Sequence, residues 1–336
     1  MKVLFIGGTG NISMRITDKL ARDPGVELYL LNRGSRSDKI PAGVKILKAD
    51  VKDEAAAKAA VEGLKFDAVA DFIAFTTADL ERDYRLFAGR TRQFVFISSA
   101  SAYQKPPAGF PITESTPLVN PYWQYSRDKI ACEEYLTNLF REGKFPVTIV
   151  RPSHTYSADI CVLHWGFGTL SRIARGKTVV IPGDGLTLWT LTHSDDFAKA
   201  FIGLLGNPQA LGEVFHITSD QALTWNQIYQ LHADALGVQL RAVHAASDFI
   251  CRTAPNDMWG ELLGDKSCNG VFDNTKIKRA VPGFSAGIRF DAGVGECVEA
   301  FRKTPALQAP NEAYDKWCDA VEKELAEAAS RVKAGL

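Results

Sequence analysis

The chain has no excess of charge: 39 lysines and arginines face 39 aspartates and glutamates over 336 residues. That removes the global electrostatic case for a nucleic-acid partner and leaves only a local patch to carry one. No apolar run approaches the length that crosses a bilayer, so no membrane partner is expected. Cysteine is sparse and scattered. The nearest two of the six, Cys251 and Cys268, are too far apart for a C-x-x-C metal or redox pair. They read as reduced, partly buried thiols of a cytosolic protein. The first strand is expected from Val3, which leaves no room for a signal peptide. Internal repeats and low-complexity tracts are lacking. No histidine pair stands at metal-ligand spacing with a carboxylate, so no metal is predicted.

What the chain does have begins at once. Val3 to Ile6 is a short apolar run suited to a strand buried on both faces, and Gly7, Gly8 and Gly10 follow it. Ile12, Ile16, Leu20 and Ala21 then recur at helical spacing. A glycine turn between strand and helix lets backbone approach a dinucleotide pyrophosphate, and the helix N-terminus offers free N–H groups, so Gly7, Gly10, Asn11 and Ile12 are candidate cofactor contacts. A plain tight turn is the other use of the same residues.

Strands and helices alternate from there. Glu27 to Leu31 is a second strand, tipped by Asn32, Arg33 and, beyond Gly34, Arg36. An acidic residue at this tip binds both ribose hydroxyls and repels a 2′-phosphate, whereas an arginine accepts the phosphate. Asn32, Arg33 and Arg36 therefore favour NADP over NAD, with a solvated basic loop as the alternative. Val44 to Leu47 is a third strand, followed by Asp50 and Val51, where a carboxylate suits an adenine amino group or a helix cap; Asp53 opens the next helix. Phe66 to Ile73 is the fourth strand, with Ala74 and Phe75 at its carboxyl end. Phe94 to Ile97 is the fifth, running into Ser98-Ser99-Ala100-Ser101-Ala102-Tyr103. After an irregular stretch from Lys105 to Asn120, a helix opens at Tyr125 and carries Lys129 one turn on. Val147 to Val150 is the sixth strand, ending in Arg151-Pro152 with His154 just beyond. This rhythm predicts an α/β fold, a doubly wound parallel sheet of the Rossmann kind, with ligands at the carboxyl ends of the strands.

From Ser157 the rhythm is less regular and aromatic residues gather: His164, Trp165, Phe167, Trp189. Strands are expected at Val179 to Ile181 and Val214 to Ile217, and helices at Phe197 to Leu205, capped by Ser194 or Asp195, and at Trp225 to Leu236. We divide the chain into a dinucleotide-binding domain (1–156), a smaller substrate lobe (157–309) that returns one strand to the main sheet, and a C-terminal amphipathic helix (310–336).

The glycine turn, the serine loop and the Tyr125-x-x-x-Lys129 helix converge on one chemistry. Moving a hydride to or from a carbonyl carbon needs a proton given to, or taken from, its oxygen. A free phenol, with a pKa of about 10, is a poor base at neutral pH. The Lys129 ammonium and an oxidised nicotinamide ring favour the phenolate of Tyr125, and Lys129 also suits a ribose hydroxyl. Ser99 is placed to hold the substrate oxygen. The bland alternative is a core tyrosine beside a surface lysine.

With these residues in this order, the chain resembles the extended short-chain dehydrogenases/reductases, the NAD-dependent epimerase/dehydratase family, over residues 1–303. Gly7, Gly10 and Ser13 fall on the family's glycine turn, Ser99 on its catalytic Ser/Thr, Tyr125 and Lys129 on its Y-x-x-x-K pair, and Arg151-Pro152 on its RP turn. His193 to Asp196 is similar to its HVxD segment and Asp273 to Arg279 to its DxSK segment. Departures from the pattern are Ser13 for the third glycine, which asks for looser packing, Asn32 for the aspartate after the second strand, and Ala100 where the sugar 4,6-dehydratases use an acid. Dehydration is disfavoured on that last ground. The stretch Asp71 to Phe75 resembles an atypical subgroup similar to chloroplast stem-loop-binding proteins, some of which bind RNA.

The resemblance implies an oxidoreductase or epimerase acting at a hydroxyl or ketone of a small, sugar-like substrate. NADP or NAD is its cofactor, and cofactor contacts extend to Ala74 and Pro152. Substrate contacts are expected from Phe75, Ser99, Ala100, Ser101, His154, Trp165 and Trp189, with Tyr156 nearby. A homodimer is implied by analogy. A non-catalytic relative binding NAD(P) or RNA is the rival reading, and zero net charge with an intact Ser99–Tyr125–Lys129 set argues against it. Family members that act on nucleotide-diphosphate sugars hold the diphosphate with arginines; here those positions read Trp189 and Glu261 to Asp265. A free sugar, sugar acid or polyol is therefore favoured, unless Arg172, Arg175 or Lys177 takes over the diphosphate.

Overall fold

The computed structural model describes residues 1–335. Its centre is a seven-stranded sheet in the order β10-β6-β5-β4-β1-β2-β3, every neighbour parallel. The strands are β1 (Lys2–Ile6), β2 (Glu27–Asn32), β3 (Lys45–Lys48), β4 (Ala68–Asp71), β5 (Phe94–Ile97), β6 (Val147–Pro152) and β10 (Val214–Ile217). Helices α1 (Asn11–Leu20), α2 (Glu54–Ala60), α3 (Thr77–Phe87), α4 (Gln124–Arg141) and α6 (Ser194–Leu204) cover its two faces. The pleat sorts the first strand between them. Val3 and Phe5 join Ile16, Leu20, Phe197 and Phe201 on one face, while Leu4 and Ile6 join Leu80, Phe87 and Leu136 on the other. The strand order reverses at β1 and β4, and a doubly wound sheet binds ligands beside that reversal.

The rest of the chain builds a smaller lobe beyond the carboxyl edge. It contains β7 (His154–Tyr156), α5 (Phe167–Ala174), β8 (Val179–Pro182), β9 (Leu188–His193), β11 (Ala222–Thr224), α7 (Trp225–Leu236), β12 (Ala242–Ala245), α8 (Ser247–Thr253), α10 (Phe290–Lys303) and α11 (Glu312–Ala334), whereas α9 (Thr275–Ala280) packs on β10 and α6 with Ile277 in the core of the main sheet. Strands β11-β9-β7 form one small sheet and β12-β8 another. Strand β10 leaves this lobe to pair with β6 in the main sheet. Trp259–Lys266 forms a π-helical segment, a wide coil that proteins use mostly near functional sites.

Two local expectations change. Helix α6 starts at Ser194, and its cap is His193, whose Nδ1 accepts the Asp195 N–H at 3.2 Å. Ser13 does not loosen the turn: its Oγ accepts the Gly10 N–H at 2.9 Å, closing the start of α1. Glycine is required earlier, at Gly8, where φ is +85° and a Cβ would lie 2.5 Å from Leu30.

The sheet is pinned to α4 by a buried ion pair. Arg151, the penultimate residue of β6, meets Glu133 of α4 with both side chains 4% exposed, and Glu133 also accepts the Ser98 hydroxyl at 2.5 Å. The second face of the guanidinium lies 4.7 Å over the Tyr103 ring. Removing one partner strands the other charge in a site built for two. Glu133→Ala is expected to destabilise the fold by about 3–5 kcal/mol, read by urea unfolding; a loss under 1 kcal/mol would mean that solvent reaches Arg151.

Candidate active site

The carboxyl edge of the sheet carries one expected site residue after another. In strand order it presents Asp50 after β3, Asn32 closing β2, Gly7 after β1, Ala74 after β4, Ser99 after β5 and Pro152 closing β6. The glycine turn is held to its neighbours: Gly7 N–H donates to Leu31 O at 3.0 Å and Thr17 Oγ1 to Gly8 O at 2.8 Å. Asn11 spends its side chain on β7 and the residue after it, accepting from Ser157 Oγ at 2.6 Å and donating to Thr155 O at 3.3 Å. Its backbone N–H and that of Ile12 stay in the first turn of α1, where no intrahelical acceptor exists. Asn32 Oδ1 accepts the Gly34 N–H, but its Nδ2 is buried without a partner. An unmet donor at the tip of β2 is what a ribose oxygen would satisfy, so these residues fit a dinucleotide. Arg33 is exposed, and Arg36 reaches back across the turn to Thr9 O at 3.1 Å. Asp50 accepts the Lys52 N–H at 3.0 Å and Val51 is buried beside it.

Beside this edge lies a cavity of about 320 Å³, with Ser99, Ala100, Ser101, Tyr125, Pro152, His154 and Trp189 among its lining residues. The serine loop is knitted together: Ser99 Oγ and Ser101 Oγ are 2.9 Å apart, and Ser126 donates to Ser101 at 2.8 Å. Burial raises the pKa of the Tyr125 phenol, the Ser99 hydrogen bond opposes that, and Asp265 adds to it. The phenol is thus held protonated across the neutral range. Lys129, 3% exposed, has its Nζ 5.8 Å from the centre of the Tyr125 ring. Its ammonium donates to Ala74 O at 2.7 Å and Ile97 O at 2.8 Å, under the rings of Phe75 and Phe96, each 4.7 Å away. Burial brings its pKa down to about 8. Phe75 stands outside the cavity, half exposed, with its ring 6.3 Å from that of Tyr125.

The aromatic wall is narrower than expected. Trp189 is there, its Nε1 donating to His154 Nδ1 at 3.2 Å and its ring stacked on Trp225. His154 is neutral: burial and nearby Lys266 take its pKa to about 3. Trp165 is not part of the wall. Its backbone adopts a φ of 62°, and the ring stacks 4.7 Å from Tyr314 of α11. Tyr156 packs instead on His193 and Phe290.

Two ion pairs complete the cavity, and the sequence reading missed them. Lys105, whose side chain is only 2% exposed, meets Asp265 at 2.8 Å, and Lys266 bonds Glu261. Lys105 lies in the stretch read as an irregular excursion, and the other three lie on the π-helical segment, which has no simple periodicity to read. Thr190 and Phe272 also line the space. Among the described residues, no arginine does. Arg172, Arg175 and Lys177 are engaged elsewhere, bridging to Asp315 and Asp319 of α11.

With a glycine turn, a serine loop and a Tyr-Lys helix gathered on one sheet edge, residues 3–218 match the NAD-dependent epimerase/dehydratase family. The chain belongs to that family. It is 29% identical over 290 residues to 2′-dehydrokanamycin reductase of Streptomyces kanamyceticus, covering 84% of this chain and 80% of that one. It is 27% identical over 251 residues to a chloroplast stem-loop binding protein of Arabidopsis thaliana, covering 70% and 63%. Among solved structures, an epimerase from Methanothermobacter thermautotrophicus superposes with a TM-score of 0.74 at 16% identity, over 91% of this chain and 94% of that one. UDP-glucose 4-epimerase of Thermotoga maritima gives 0.70 at 21% identity, over 91% and 100%. These likenesses place the fold among the extended short-chain dehydrogenases/reductases. Family membership supports a nicotinamide-dependent oxidoreductase or epimerase. Among the described residues, no helix is long and apolar enough to cross a membrane.

Lys129 makes the site's stability depend on pH in a stated direction. Its pKa is depressed from 10.5 to about 8 in the folded chain. Between those values the unfolded chain binds a proton that the folded chain has released, so stability rises with pH across that window. Urea unfolding at stepped pH should show this slope, and Lys129→Met should remove it.

Proposed function

We propose that this chain reduces a ketone on a compact, polyhydroxylated substrate, with NADPH favoured over NADH. The observation that carries the reading is the cavity itself. It has a protonated phenol and a serine hydroxyl on one side, a tryptophan wall on the other, and closed ion pairs where a diphosphate would need free arginines. A volume of about 320 Å³ lies at the small end of ligand pockets. The relative that reduces a dehydrokanamycin supports the same direction of reaction and a sugar-like ring.

The bound reduced nicotinamide supplies a hydride to the carbonyl carbon. Every other part of the step belongs to the chain. Ser99 donates a hydrogen bond to the carbonyl oxygen and stabilises charge as it grows there. Tyr125 gives its hydroxyl proton to that oxygen, leaving an alcohol and a phenolate that solvent reprotonates. Lys129, beneath the ring, stabilises the phenolate while it lasts, and its third proton is free for a ribose hydroxyl. Neutral His154 accepts the Trp189 N–H on Nδ1 and so carries its proton on Nε2, a donor for a substrate hydroxyl. The Trp189 face covers the apolar side of a ring. Arg33 and Arg36 flank the tip of β2, where a 2′-phosphate is matched by a guanidinium.

Turnover is tested with the full chain, NADPH and a panel of keto sugars and keto aminocyclitols. Tyr125→Phe keeps the packing and deletes the proton donor, so kcat should fall by at least about 100-fold with cofactor affinity unchanged. Full activity in that variant would remove the phenol from the mechanism. Calorimetry against UDP, dTDP and GDP should find no saturable binding to the NADP-loaded protein; micromolar binding of any of them would restore the nucleotide-sugar epimerase reading. For the cofactor, Asn32→Asp should reverse the preference to NAD. If parent and variant both bound the two cofactors equally, the argument from Arg33 and Arg36 would fail.

A further inference from the structure

Away from the cavity, the smaller lobe brings together three side chains that no sequence spacing links. Cys161 lies between β7 and α5, His232 on α7, and Cys297 on α10. Their ligating atoms, two sulfurs and one imidazole nitrogen, all lie within 4.8 Å of one another. Among the described residues this is the one group of His, Cys, Asp or Glu gathered so closely. His232, Cys297 and Cys161 are 1%, 2% and 9% exposed. None of the three lines the cavity beside Tyr125.

The tautomer of His232 is set by its own helix. Its Nδ1 faces the carbonyl of Ile228 at 2.8 Å and can only donate there. A neutral ring then has a bare lone pair on Nε2, and Nε2 is the atom that faces Cys161 Sγ, 3.9 Å away. An anchored N–H behind a free nitrogen is the arrangement that orients metal-binding histidines. A metal with bonds of about 2.3 Å to sulfur and about 2.0–2.1 Å to nitrogen spans an S···N gap of about 3.6–3.8 Å between tetrahedral and trigonal geometry. The gap present is close to the trigonal end.

We infer that Cys161, His232 and Cys297 form a binding site for one soft, thiophilic d10 cation, Zn(II) or Cu(I). Two thiolates and one imidazole are the donors such ions prefer over carboxylate sites. Binding displaces the remaining thiol protons to solvent and leaves the sulfur oxidation state unchanged. Cu(I) is satisfied by three ligands, and Zn(II) would take a solvent oxygen as its fourth. The site joins the segment before α5 to α7 and α10, so it acts as a structural clamp of this lobe, independent of the hydride chemistry.

The test uses the full chain, reduced and freed of metal by a chelator. Titration with Cd(II) should give a thiolate-to-metal charge-transfer band that saturates at one equivalent. Zn(II) and Cu(I) are then offered separately in competition with a calibrated chelator, and the tighter of the two assigns the ion. Cys161→Ser and Cys297→Ser should each weaken binding by more than about 100-fold, the upper limit for loss of an outer-shell partner. Cys251→Ser, a buried cysteine outside the group, should leave binding unchanged. If the cysteine variants do not fold, X-ray absorption of the zinc- or copper-loaded parent decides, with two sulfurs and one nitrogen as the expected shell. No band at one equivalent, or a shell without two sulfurs, overturns the proposal.

Discussion

The ammonium of Lys129 is held at the carboxyl edge of the parallel sheet. It is buried with no carboxylate bonded to it, and its stabilising partners are two backbone carbonyls, Ala74 O beyond β4 and Ile97 O at the end of β5. An unpaired buried ammonium costs several kcal/mol, and carbonyl dipoles and ring faces offset that only if they are held in place. Adjacent β4 and β5 hold both carbonyls on one side of the sheet. Helix α4 must therefore cross that edge, and the residue one turn before Lys129 is carried above it. That residue is Tyr125. Ser99 follows Ile97 by two residues, so the phenol and the hydroxyl meet as a consequence of satisfying one charge.

The same demand for paired charge shapes the rest of the chain. Arg151 is matched by Glu133, and Arg172 by Asp315 and Asp319 of α11, a helix far along the sequence. In the cavity, Lys105 is matched by Asp265 and Lys266 by Glu261. The absence of net charge is thus repeated in each of these buried pairs. A dianionic diphosphate would have to open a pair that is already closed, and the freed carboxylate would face it across a small space. Neutral hydroxyls can share the outer lone pairs and N–H groups of such pairs without breaking them. This is the electrostatic reason for favouring a polyol over a nucleotide sugar.

Legibility followed burial. Strands such as Phe94 to Ile97 are buried on both faces, and their unbroken apolar runs mark them directly. The glycine turn, the serine loop and the Tyr125–Lys129 spacing are local patterns with a chemical purpose, and the chain shows them without its fold. Strand β7, three residues long, and the π-helical segment carry no period to read. Trp165 and Trp189 are both aromatic and fall in one lobe, yet the Trp165 ring stacks on Tyr314 of α11. Cys161 and His232 are separated by 71 residues, and only packing of the lobe brings them together. His193 caps α6 in place of Ser194 because an imidazole nitrogen can accept a backbone N–H as a hydroxyl does.

What aligns the cavity's variable wall with its chemistry is a contact between glycine and tryptophan. The π-helical segment that carries Glu261, Asp265 and Lys266 lies against Trp123, the residue that precedes α4. A Cβ at Gly260 would fall 2.1 Å from the Trp123 ring, and one at Gly264 would fall 2.9 Å from its Cβ. Asn120 ties the same segment down, donating to Gly264 O at 2.6 Å and to Ser101 O at 2.9 Å while accepting the N–H groups of Tyr122 and Trp123. The wall is therefore registered to the first turn of α4, and so to Tyr125, by two missing side chains and one amide. Glu261, the cavity residue between those glycines, can change charge or size without moving the phenol. A chain built this way separates the choice of substrate from the transfer of the proton, which lets one sheet edge serve ligands of different chemistry.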